Sequence, residues 1–130
     1  MTSNVRQFTA FGAAIESLQK RYGGLVVPSF ATFAITNAPQ IVAAADPERI
    51  FLGMFCIGAF GARILPFSTT DPTIGILLAA NGGALSFTER DDAIMPAIEW
   101  WSTVNGGPAS TLYVVTARRD VRTNAIENLD

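Results

Sequence analysis

Turn-forming clusters interrupt this chain so often that helices have no room between them, and that spacing constrains the fold more than any other feature. Asn37-Ala38-Pro39, Asp46-Pro47, Gly58 to Gly61, Asp71-Pro72, Asn81-Gly82-Gly83 and Asn105-Gly106-Gly107-Pro108 follow one another at short intervals. Proline fixes φ and Asn-Gly steps tolerate positive φ, so each cluster can reverse the chain. The runs between them are rich in β-branched and aromatic residues, which suit a pleated, half-buried backbone. Strands are expected at Phe30–Thr36, Gln40–Ala44, Ile50–Ile57, Arg63–Phe67, Ile74–Leu78, Ala84–Thr88, Glu99–Val104 and Thr111–Ala117. Short connections join antiparallel strands, because a parallel pair needs a crossover of about a dozen residues or more. The expected class is mainly β, an antiparallel β-sandwich or jelly-roll-like domain. Asp91 to Ala97 fits either a helical turn limited by Pro96 or an irregular loop.

The N-terminal segment has a different period. Phe11, Ile15, Leu18 and Tyr22 recur at three- and four-residue spacing, with Glu16, Gln19 and Lys20 between them. This reads as a short amphipathic helix stopped by Gly23-Gly24. A helix of so few turns is marginal alone, so the arm is expected to dock on a neighbouring chain. The expected organisation is an arm at 1–24, a β-sandwich domain at 25–118 and a C-terminal tail at 119–130.

Two features point to surface that partners cover. Leu112 and Val114 share one face of their strand while Tyr113 and Val115 share the other, and Ile50–Ile57 is likewise apolar on both faces. A strand apolar on both faces is buried on both faces. In a two-layer sandwich the second face would be covered by the arm or by another subunit. The composition agrees. Charged residues make up 15% of the chain, against about 25% in an ordinary soluble domain. Lys20 is the only lysine, beside eight arginines. Interface cores are depleted in Lys and Glu, whereas monomers keep their surfaces charged.

The chemistry-bearing residues are sparse. At 130 residues the chain can bury one core without disulfides or metals. A net charge of −2 and scattered basic residues, clustered only at Arg118, Arg119 and Arg122, speak against a nucleic-acid module. The polar Met1 to Gln7 is unlike a signal peptide. The most apolar run, Ile50 to Ala62, is shorter than the roughly 20 residues of a membrane-spanning helix. A soluble protein without membrane contact is expected. Cys56 has no partner for an intrachain disulfide and reads as a buried thiol. Histidine is absent, which removes the commonest general base, the Ser-His-Asp triad and the commonest metal ligand together. Glu89, Asp91 and Asp92 lack the spacing of a calcium loop, and the glycine pairs form no phosphate-binding pattern. No catalytic, metal-binding or cofactor-binding residue is therefore expected, and no enzyme. Adjacent residues of a strand point to opposite faces, so Trp100 and Trp101 can place one ring in the core and display the other, or both can fill the interior. Arg49, in the turn Asp46-Pro47-Glu48-Arg49, needs acceptors at the mouth of so apolar a strand. A local acid, Asp46 or Glu48, competes for it with an acid on an adjacent subunit.

From Gln40 to Ala117 the layout of motifs is recognisable. Ile41-Val42, the turn Asp46-Pro47-Glu48-Arg49 and the apolar strand Ile50–Ile57 come first. Gly75-Ile76-Leu77-Leu78, then Asn81-Gly82-Gly83 with Leu85 and Phe87, then Trp101 and Leu112-Tyr113-Val114 complete the series. This layout resembles small β-rich virion accessory proteins of bacteriophages, the head-decoration (cement) or neck and tail components. The resemblance implies a capsid decoration protein that bridges and stabilises capsid subunits. Its partners would be other copies of itself, as a trimer or dimer, and the major capsid protein or another virion protein. Its location would be the virion, assembled in the host cytoplasm, and it would carry no catalytic residues. Phe11, Ile15, Leu18, Tyr22, Trp100 and Trp101 are the expected interface. The alternatives are a neck, tail or fibre-base component, or a carbohydrate-binding β-sandwich that uses Trp100 or Trp101, Tyr113 and acids.

Overall fold

The computed structural model describes residues 26–119. The expected arm, with Phe11, Ile15, Leu18 and Tyr22, lies outside the described residues, as does all of the tail after Arg119. The chain divides into two compact units, and the one formed by Pro28–Ala117 holds the sandwich. Of the other unit only Val26, Val27, Arg118 and Arg119 are described, as the ends of two strands.

Eight strands form where the turn spacing places them. They are β1 (Val26–Thr36), β2 (Gln40–Ala43), β3 (Arg49–Cys56), β4 (Gly61–Leu65), β5 (Ile76–Leu78), β6 (Gly83–Thr88), β7 (Trp100–Asn105) and β8 (Ala109–Arg119). Two four-stranded sheets result, in the orders β1-β8-β3-β6 and β2-β7-β4-β5. Strands β1 and β8, β2 and β7, β3 and β6, and β4 and β5 are neighbours, as in one long hairpin. Successive nested pairs alternate between the sheets, which is the winding of a jelly roll. The turns have the chemistry that this requires. Asn81 and Gly82 take φ of 58° and 127° between β5 and β6, and Gly106 takes 83° between β7 and β8.

Alternation decides which side chains enter the core. Leu52, Met54 and Cys56 of β3, Ala62 and Ile64 of β4, Val104 of β7, and Leu112 and Val114 of β8 meet between the sheets. The Trp100 ring stacks on Phe87 across the two layers, with centroids 5.0 Å apart, and its indole N–H donates to the Met95 carbonyl at 2.8 Å. Only 1% of Trp100 is exposed, so it has no face to offer a partner. Its place in the expected interface is corrected by this burial. Trp101, next along β7, is the displayed member of the pair, and its indole N–H donates to Glu99 at 3.1 Å.

The segment after β6 begins with one helical turn. Helix α1 (Glu89–Asp92) is capped by Thr88, whose hydroxyl accepts from the Asp91 amide at 3.2 Å. The Thr88 amide donates to the Asp92 carboxylate at 2.8 Å. These reciprocal bonds resemble a capping box, and acids suit the first turn of a helix. They give the acidic run a structural reason.

Candidate functional site: the two outer faces of the sandwich

Each sheet has an outer face, and the two are finished differently. On the β1-β8-β3-β6 sheet, residues Phe51, Gly53 and Phe55 of β3 point away from the core, and the pairing with β6 sets Thr88, Ser86 and Ala84 beside them. A Cβ built on Gly53 would lie 3.2 Å from the Phe51 ring and 3.3 Å from the Phe55 ring. The two rings thus close over a residue that has no side chain, the arrangement by which aromatics shield a strand glycine. Tyr113 of β8 continues the surface, its ring centroid 6.4 Å from that of Phe55 and 6.1 Å from that of Phe30 on β1. Phe30 is 66% exposed. This is a run of neighbouring aromatic rings on one sheet face, bordered by small and hydroxylated side chains.

On the β2-β7-β4-β5 sheet the outer face is partly roofed by the chain itself. Leu65 of β4 points away from the inter-sheet core, yet it is only 2% exposed. The β4–β5 connection lies over it. A Cβ built on Gly75 would stand 2.7 Å from Arg63 Cγ and 3.0 Å from Leu65 Cγ, and Gly75 has a φ of 114°. Only glycine combines that close approach with that backbone. Arg63 holds the connection down: one terminal nitrogen donates to the Ile74 carbonyl and the other to Asn105 Oδ1, both at 2.9 Å. The expectation that the arm or another subunit covers a second apolar face concerns β3 and β8, which lie in the other sheet. The β4–β5 connection lacks the strand period, so its role as a roof left no mark in the alternation.

Arg49 is a second internal clamp. Its Nε donates to the Pro96 carbonyl at 2.5 Å and an Nη to the Ile98 carbonyl at 2.9 Å. Asp46 fixes the same segment through its amide, which donates to the Ala97 carbonyl at 2.9 Å. Burial lowers the Arg49 pKa and the nearby Asp46 charge opposes that shift. The role is structural and internal to the chain, as the turn suggested. Its hydrogen-bond acceptors, however, are carbonyls of residues 96 and 98. Asp46, one of the acids expected as its partner, acts on the guanidinium through its charge. Sequence could not show this, because the partners meet Arg49 only after β7 has docked beside β2.

Cys56 is buried, and its thiol donates to the Phe60 carbonyl at 3.1 Å. Ser110 donates to the same carbonyl. The thiol thus helps hold the β3–β4 loop. Among the described residues no group of three or more His, Cys, Asp or Glu is placed to hold a metal ion, and no helix is long and apolar enough to cross a membrane.

No protein-family model matches the chain, and no curated protein matches it. Among solved structures it is similar to a Bacillus endospore appendage protein, from a novel family of disulfide-linked pili, at 16% identity and a TM-score of 0.44, covering 72% of this chain and 87% of that one. It is also similar to the Drosophila NLP-core, studied for pentamer formation and histone binding, at 12% identity and a TM-score of 0.34, covering 72% of this chain and 98% of that one. At these scores neither likeness bears on what this chain does.

Proposed function

We propose that this chain is a non-enzymatic structural protein that works assembled with other copies of itself, as a decoration (cement) protein on a bacteriophage capsid. The observation that carries the assembly reading is the aromatic outer face of the β1-β8-β3-β6 sheet, where Phe30, Phe51, Phe55 and Tyr113 lie side by side. Phe30 is exposed and the other three rings are half-buried; contiguous apolar patches mark interaction sites, and aromatic side chains are enriched where proteins meet.

The edges of the sheets support the same reading. Strands β1, β6, β2 and β5 end the two sheets, and none of them contains a charged residue. Soluble monomers commonly protect such edges with charged residues, lysine above all. Residues 26–119 contain no lysine at all. A second copy of this chain offers the same uncharged, aromatic surface, so the occupant that fits best is another copy. The virion setting rests on the layout of motifs from Gln40 to Ala117 described above.

Quantitative mass spectrometry of purified particles tests the reading. A copy number that matches the symmetry of the capsid lattice is the expected result. Presence only at the sub-lattice numbers of a neck or tail would move the protein to the alternative position. Absence from particles would contradict a virion role altogether.

A further inference from the structure

A polar groove of about 400 Å³ opens beside the roofed face, lined by Arg63, Thr70, Asp71, Thr103 and Asn105 among others. Its size is that of a small-ligand cleft. Arg63 is only 8% exposed. A guanidinium carries five N–H donors in a rigid fork. Two of these are used on Ile74 and Asn105. The other three have no acceptor among the described residues. Their aim is fixed all the same, because the bonds to Ile74 and Asn105 hold the plane of the fork.

Asp71, which also lines the groove, supplies an acceptor. Asp71 Oδ1 accepts from the Thr73 amide at 2.9 Å and from the Thr73 hydroxyl at 2.6 Å, which orients the carboxylate and leaves Oδ2 without a bond from the chain. Donors on Arg63, an acceptor on Asp71 and the hydroxyls of Thr70 and Thr103 thus line one groove. One full positive and one full negative charge sum to zero, so the groove favours a ligand with no net charge over an anion or a cation. A neutral ligand with adjacent groups that each donate and accept can bond to both residues. A pair of neighbouring sugar hydroxyls has that chemistry.

From this juxtaposition we propose that the groove beside Arg63 and Asp71 binds a neutral sugar unit through two adjacent hydroxyl groups. Arg63 donates to one hydroxyl and Asp71 accepts from its neighbour. The proposal is independent of how the aromatic face is used. A sugar-binding groove on one sheet leaves the other sheet free for assembly.

Amide chemical shifts of the full chain, titrated separately with D-mannose, D-galactose, D-glucose and N-acetyl-D-glucosamine, test it, with acetate and inorganic phosphate as charged controls. At least one sugar is expected to move the amides of Thr70, Asp71, Thr73, Thr103, Asn105 and Gly106 with a Kd on the order of 1 mM. Asp71→Asn, which alters an exposed side chain, should weaken that binding by about tenfold while leaving the rest of the spectrum in place. Arg63→Lys, which keeps the charge and loses the fork, should weaken it as well. No response to any of the four sugars overturns the proposal. So does a response to acetate or phosphate alone, or a sugar response centred away from these residues or unchanged in Asp71→Asn.

Discussion

The two outer faces of this sandwich are finished differently. Strand β3 is apolar on both sides, whereas the outer side of β4 carries Arg63 between Gly61 and Leu65. Over β4 the chain returns: Gly75 passes close above Leu65 and Arg63 bonds to the Ile74 carbonyl, so Leu65 is buried while Ile41 and Leu77 on the same face stay exposed. Over β3 no connection within residues 28–117 is seen to return; Phe51 and Phe55 close over Gly53, and Phe55 meets Tyr113. One face is thus partly roofed by a loop of the same unit, and over the other no residue of 28–117 returns. An apolar strand pattern identifies surface to be covered; the connections decide whether the chain itself covers it.

The largest expected effect breaks the roofed face. Gly75→Val places a branched side chain where φ is 114° and where Arg63 Cγ would already stand 2.7 Å from a Cβ. Strain and overpacking together should cost about 3 kcal/mol in urea unfolding. A variant as stable as the parent would mean that the roof is not seated as described.

Next comes Arg49→Ala. It removes charge-assisted bonds to two carbonyls, of Pro96 and Ile98, and leaves both unpaired. A loss of about 2 kcal/mol is expected in the same measurement. Because the clamp is internal, assembly should weaken only as far as folding does. A variant that melts like the parent and no longer assembles would put Arg49 on the association surface instead.

The smallest effect concerns Asp71, on the loop that forms the roof. Its hydrogen bonds from Thr73, side chain before backbone, hold the carboxyl pKa below 3.8, with a smaller contribution from Arg63. A depressed folded-state pKa means that the turn is supported above the ordinary carboxylate range and loses that support as the pH falls through the folded value. A carboxyl-carbon NMR titration should give a midpoint below 3.8 for Asp71. In Thr73→Ala the midpoint should move back up. A midpoint that stays put in the variant would assign the shift to Arg63.

Much of this architecture is legible in the sequence, and the reasons are local. Period-two alternation and Asn-Gly or Pro turns reveal all eight strands, since both are properties of neighbouring residues. The difference between Trp100 and Trp101 follows from the same alternation in outline. Which ring turns inward depends on Phe87, thirteen residues away on the other sheet. The aromatic face is half visible: Phe51, Phe55 and Tyr113 are on the right faces of their strands, but their contiguity depends on β3 and β8 being neighbours. The roof over Leu65, the Arg49 clamp and the groove of Arg63 with Asp71 are hidden for the opposite reason. Each joins a strand residue to a loop whose path carries no period.

The central proposal, that the aromatic face of the β1-β8-β3-β6 sheet is the association surface, is tested most directly by sedimentation velocity on the parent and on the double variant Phe55→Ser, Tyr113→Ser at micromolar concentration. Both substitutions lie on the outer face, so the variant should remain folded, with thermal unfolding as the check. The account predicts that the parent sediments as an oligomer and the variant as a monomer. A parent that remains monomeric, or a folded variant that assembles as the parent does, would contradict it.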